Sequence, residues 1–139
     1  MTTRQPSIGL ALIAKNEEQS LPRLLASVEG VFDRVVLVDT GSGDATKKVF
    51  EDWCEAQPLP FSWSIGDFEW CDDFSAARQA SYDLLGDSVA WTCWADCDDT
   101  IRNAQELRRL AETCPPHIAG FLARYEYAHD EHGNVICTL

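Results

Sequence analysis

The chain reads as an α/β protein: a mostly parallel central sheet flanked by helices. Two observations predict this. Short runs of β-branched and leucine residues alternate with segments of helical apolar spacing, giving strand, helix, strand, helix, strand, helix, strand from Ile8 onward. Acidic and polar residues cluster just past the strand-like runs, where open parallel sheets bind their ligands. The 139 residues suit one domain with one real core.

Ile8 to Ile13 is the first apolar run, a buried strand interrupted by Asn16, Glu17 and Glu18. Leu21, Leu24, Leu25 and Val28 then recur at helical spacing, with Pro22 suited to the first turn and Gly30 to the end. Val35 to Val38 is the second strand, ending at Asp39. Thr40 to Gly43 makes a turn, and Asp44 is placed to cap a helix whose inner face is Thr46, Val49, Phe50 and Trp53. Pro58 and Pro60 close that unit. Phe61 to Ile65 reads as a third strand, followed by the acidic, aromatic loop Gly66 to Asp73. Phe74, Ala77, Ser81, Leu84 and Leu85 mark the next helix, and Ala90 to Ala95 the fourth strand, ending at Asp96. Leu107, Leu110, Ala111 and Cys114 mark a fourth helix, stopped by Pro115 and Pro116. Gly120 to Tyr127 alternates like a strand, and His132 to Asn134 looks like a turn into another.

A 45% hydrophobic and 24% charged composition is that of a soluble globular protein. No apolar run is long enough to span a bilayer, and Met1 to Pro6 lacks the apolar core of a signal peptide, so the expectation is a cytoplasmic protein. The net charge of −12 repels nucleic acid and anionic lipid, which excludes both as partners. The six cysteines match no zinc framework and read as small, mostly buried hydrophobes with reduced thiols.

Three segments carry chemistry. In Trp94-Ala95-Asp96-Cys97-Asp98-Asp99, two carboxylates two residues apart can share one hard divalent cation, Mg²⁺ or Mn²⁺; a helix cap with an exposed turn explains the pattern equally well when it stands alone. In Val36 to Asp44, a glycine-containing turn lets a ligand approach the backbone closely; the plain alternative is an ordinary strand-to-helix turn. In Asp72 to Gln79, Arg78 presents a donor fork suited to phosphate, against the commoner fate of a surface salt bridge to Asp72 or Asp73.

Together, Ala11 to Glu18, Val36 to Thr46, Phe68 to Gln79 and Trp94 to Asp99 resemble, in order and spacing, the family 2 glycosyltransferases. The resemblance implies a Rossmann-like GT-A nucleotide-binding fold. It makes residues 1–139 a single nucleotide-sugar-binding domain, with 1–100 the nucleotide-binding half and 101–139 the start of the acceptor-side half. It implies a metal-dependent, inverting transfer from a nucleoside diphosphate sugar, UDP-sugar being the family's commonest donor, to an unidentified acceptor. Asp39 would accept a hydrogen bond from the base, and Glu17 would contact base or ribose. Arg78 would lie near the nucleotide. Asp96-Cys97-Asp98 looks like the family's DxD motif, Asp96 toward ribose and metal, Asp98 on the metal. The physics agrees on a cation, since like charges about 4 Å apart repel by roughly 4 kcal/mol at an effective dielectric near 20.

The family's base lies well downstream of the DxD motif, and forty residues follow Asp99. Asp130 and Glu131 sit in an apparent hairpin turn, so the expectation is a base beyond residue 139 and a chain truncated at its C-terminus. Three rival readings stand beside this one. Asp96-Cys97-Asp98-Asp99-Thr100 fits the DxDxT motif of haloacid-dehalogenase-type phosphatases, with Asp96 and Asp98 as its carboxylates, but that motif usually opens its fold. The glycines at 41 and 43 resemble those of methyltransferases that bind S-adenosylmethionine, without a third glycine at Ala45 or Thr46. A non-catalytic acidic cation-binding module is the third.

Overall fold

The computed structural model describes residues 7–138. Four strands, β1 (Ile8–Ala14), β2 (Arg34–Asp39), β3 (Ser62–Asp67) and β4 (Trp91–Asp96), form one all-parallel sheet in the order β3-β2-β1-β4. They are linked through α1 (Leu21–Ser27), α2 (Thr46–Glu55) and α3 (Phe74–Leu85). After β4 come α4 (Gln105–Thr113) and an antiparallel hairpin of β5 (Glu126–His129) and β6 (Val135–Thr138).

The two central strands read as unbroken apolar runs because helices cover both their faces. On one face Leu10, Leu12, Val35 and Leu37 meet Leu21, Leu24 and Leu25 of α1, Phe50 and Cys54 of α2 and Ala111 of α4. On the other, Ala11 and Val36 meet Leu85 of α3. The alternation along β1 is therefore one of size rather than polarity. Gly9 and Ala11 face α3, and a Cβ on Gly9 would lie 2.8 Å from Leu85 Cδ1, so the small residues let α3 seat closely. The outer strands β3 and β4 are only partly buried, which is why their sequences are more polar.

Several expectations shift. The third strand runs to Asp67 and not merely to Ile65. Phe74 opens α3, as its spacing predicts, but it is 73% exposed and packs edge-on against Trp70, while Ala77, Ser81 and Leu85 are buried. The run Gly120 to Tyr127 is strand only from Glu126, with residues 120–125 irregular. Cys54 and Cys97 are buried as expected, but Cys71 is exposed, and the side chain of Cys137 lies outside the described residues. Among the described residues no helix is long and apolar enough to cross a membrane.

Candidate functional site at the carboxyl ends of the strands

Register places the strand ends side by side. Ala14 pairs with Asp39, Asp39 with Asp67, and Ile13 with Asp96, so the polar residues following all four strands share one edge of the sheet.

The loop after β1 and the loop after β2 are laced into one unit. Asn16 N–H donates to Ser42 Oγ at 2.8 Å and its Oδ1 accepts from Gly43 N–H at 2.7 Å. Glu17 N–H donates to the hydroxyl of Thr46 at 2.8 Å, and Glu18 Oε2 accepts from Ala45 N–H at 2.9 Å. Asp44 does not cap α2 as its N-terminal boundary residue; that position is Ala45. It binds Thr46 N–H at 3.0 Å with one oxygen and Glu18 N–H at 3.3 Å with the other, so it ties the first loop to the start of the helix. None of Asn16, Glu18, Asp44 or Thr46 was assigned a site role from sequence. Their signal is only their position beside Glu17 and Asp39.

Asp39 is 3% exposed. Its Oδ1 accepts from Gly41 N–H at 2.9 Å and Ser42 N–H at 2.8 Å, a turn that needs Gly41 because φ there is +116°. Its Oδ2 is buried with no hydrogen-bond partner among the described residues. Burial pushes this carboxyl up, but hydrogen bonds from Ser42 and Gly41, together with the Lys47 charge, outweigh it and hold it below its ordinary value. Asp39 therefore contributes stability that is fully present above the ordinary carboxylate range and is lost as pH falls through its lowered folded value.

At the end of β4, Cys97 is 2% exposed and its thiol donates to Ile13 O at 3.2 Å, with burial raising its pKa. Turning Cys97 inward leaves the flanking Asp96 and Asp98 facing outward, both exposed. Asp99 closes the turn by accepting Asp96 N–H at 3.1 Å and binds the Tyr125 hydroxyl at 2.7 Å. Asp73 caps α3 through Ala76 N–H at 3.1 Å, and Arg78 follows in that helix. The partner of Arg78 is neither Asp72 nor Asp73. It donates from Nη2 to Asp96 Oδ1 at 3.0 Å and lies 4.4 Å from the centroid of the Trp94 ring.

Glu17, Arg78, Asp96 and Asp98 line one cleft of about 340 Å³, together with Lys15, Trp70 and Phe74. That volume suits a small ligand. Asp39 does not line it; its neighbour Thr40 does. Among the described residues no group of three or more His, Cys, Asp or Glu side chains is disposed to hold a metal unaided. Asp96 and Asp98 still fit a hard cation whose other ligands come from water and phosphate, the usual manner of Mg²⁺ beside nucleotides. Asp130, one base candidate, accepts Asn134 Nδ2 at 3.0 Å and the N–H groups of His132 and Asn134 at 2.9 and 2.8 Å; the Asn134 bonds hold its pKa low, which suits a hairpin turn and not a proton acceptor.

Comparison with known proteins agrees with this architecture. The model of glycosyl transferase family 2 matches residues 10–120. A TPR repeat-containing protein of Synechococcus elongatus is 36% identical over 95 residues, 68% of this chain and 21% of that protein. S. aureus TarS, solved in complex with UDP, superposes with a TM-score of 0.61 at 20% identity over 76% of this chain and 31% of that one. The Pyrobaculum calidifontis mannosyltransferase PcManGT, solved with GDP-Man and Mn²⁺, gives a TM-score of 0.66 at 16% identity over 92% of this chain and 37% of that one. The chain thus spans about a fifth of the curated relative and about a third of these two structures. The sheet has the GT-A architecture, and the family match removes the phosphatase and methyltransferase readings. The chain belongs to glycosyl transferase family 2.

Proposed function

We propose that residues 1–139 carry the donor-binding part of a metal-dependent, inverting glycosyltransferase that takes a sugar from a nucleoside diphosphate sugar, a UDP-sugar in the first instance. One observation carries this reading: a buried carboxylate oxygen with nothing to accept, at Asp39, beside a cleft holding Glu17, Arg78, Asp96 and Asp98. An acceptor oxygen of that kind calls for a ring N–H such as a pyrimidine base offers. Glu17, held by Ser20 Oγ and by the Thr46 contact to its backbone, is placed for a ribose hydroxyl. Arg78 takes diphosphate oxygens, with Lys15 at the same cleft as a second cation. Asp96 and Asp98 hold the cation, Mn²⁺ or Mg²⁺, which when bound offsets charge on the departing diphosphate. A second hollow of about 800 Å³, lined by Arg23, Thr100, Arg102 and Tyr125 among others, meets the first at Asp98. We assign it to the acceptor side, with residues 101–139 as the start of that half and the general base outside residues 1–139.

The test is calorimetry of UDP against the chain with Mn²⁺ and then with excess chelator. Binding is expected to weaken at least tenfold on chelation, about 1.4 kcal/mol. Equal affinity in both conditions sinks the cation bridge. Non-catalytic cation binding would show as Mn²⁺ affinity with no preference for a nucleotide.

Asp39→Asn is expected to weaken nucleotide binding about tenfold while the chain stays folded, since a mispaired buried polar group costs roughly 1–3 kcal/mol. The amide keeps an acceptor for Gly41 and Ser42 but turns a donor toward the base. Unchanged binding by a folded variant would reduce Asp39 to a turn residue.

A further inference from the structure

Arg78 is the least exposed cation of the cleft, with 20% of its side chain accessible against 57% for Asp96. Its Nη2 is bound to Asp96 Oδ1, while its Nη1 is buried without a hydrogen-bond partner among the described residues. The guanidinium lies over Trp94, a half-exposed tryptophan of β4 that belongs to neither apolar cluster, unlike Trp91 of the same strand. Register explains the placement. Trp94 pairs with Ala11 on the face that α3 covers, two residues before Asp96, so the ring and the carboxylate lie on the same face of β4 and both come to Arg78.

Asp96 therefore has two claimants. A guanidinium on Oδ1 repels a divalent cation approaching that oxygen and occupies one of its two lone pairs. An incoming diphosphate offers Arg78 stronger, bidentate partners, and a fork with one donor spent and one unsatisfied is shaped to take them. We propose that Arg78, seated on Trp94, guards Asp96 in the ligand-free cleft and releases it when a diphosphate arrives, so that cation and nucleotide each bind weakly alone and strongly together. Trp94 is a positioning residue in this device, since it holds the guanidinium over the carboxylate without touching the ligand. The inference rests on the diphosphate reading of the cleft, but its first readout needs no nucleotide.

The experiment is Mn²⁺ binding, followed by the electron paramagnetic resonance signal of the free ion, with and without UDP. It compares the native chain with Arg78→Met, Trp94→Leu and Trp94→Phe, each checked for native circular dichroism. Without UDP, Arg78→Met should bind Mn²⁺ about fivefold more tightly, the size of one partly exposed ion pair. UDP should tighten Mn²⁺ strongly in the native chain and little in Arg78→Met. Trp94→Leu should shift both readouts the same way, and Trp94→Phe, which keeps a ring, should restore them. Unchanged or weaker Mn²⁺ affinity in a folded Arg78→Met variant overturns the proposal. If UDP has no effect on any variant while Arg78→Met still gains Mn²⁺ affinity, the guard stands and the nucleotide reading fails.

Discussion

Asp98→Asn is expected to weaken Mn²⁺-dependent nucleotide binding by about a hundredfold or more, the upper range seen when even the supporting groups of a metal site are removed. Asp98 faces outward because Cys97 beside it is fixed inward by burial and by its bond to Ile13 O. Among the described residues no side-chain hydrogen bond of Asp98 holds the turn, whereas its carbonyl is bound by Arg23 Nη2 at 2.9 Å, a bond the substitution leaves in place. An exposed change of this kind moves stability by no more than about 0.5 kcal/mol, so the loss should be one of ligand affinity alone. Calorimetry with Mn²⁺ and UDP, beside a urea melt, separates the two. A variant that keeps native affinity and native sensitivity to chelator excludes Asp98 as a ligand.

Phe50→Ala should cost about 3–5 kcal/mol of folding stability, the range for deleting a buried aromatic ring. The ring is fully buried and meets Trp63 edge-on, with centroids 6.2 Å apart at 80°. It fastens α2 to the sheet beside a second aromatic pair, Trp53 with Phe61 at 5.8 Å. Domains of this kind hold about 5–15 kcal/mol in all, so roughly a fifth of the margin or more goes. The consequence reaches the cleft, because the first residue of α2 is Thr46, whose hydroxyl holds Glu17 N–H. Urea unfolding should show a lower midpoint at unchanged slope, and a loss below about 1 kcal/mol would mean that the site collapses and refills.

The order of strands and helices was legible because it depends on local patterns. Runs such as Val35 to Val38 must be buried on both faces, and a chain alternating such runs with helical spacing has a parallel sheet as its natural solution. The exposure of Phe74 lies beyond what such local patterns report. Helical spacing reports which residues share a stripe, but at the first turn of α3 that stripe runs beyond the sheet and meets Trp70 in the preceding loop. The expected strand from Gly120 failed because alternation alone supplies no partner for a strand to pair with, and only residues from Glu126 find one in β6.

The candidate carboxylates and Arg78 were visible one by one, since each follows a recognisable strand or opens a recognisable helix. By itself the sequence determined the α/β class, the positions of Glu17, Asp39, Asp96 and Asp98 at strand ends, and the family they resemble. Tertiary structure alone decided that Asp96 rather than Asp72 or Asp73 receives Arg78, that Trp94 supports it, that Asn16 and Asp44 lace two loops together, and that Asp39 leaves one oxygen unsatisfied. The physical reason is distance along the chain. Propensity and periodicity act over a few residues, whereas Arg78 and Asp96 are separated by 18 positions and Asn16 and Gly43 by 27. Which charge meets which is settled only when register aligns the strand ends and the close packing of α3 on Gly9 and Ala11 sets how near its first turns come to β4.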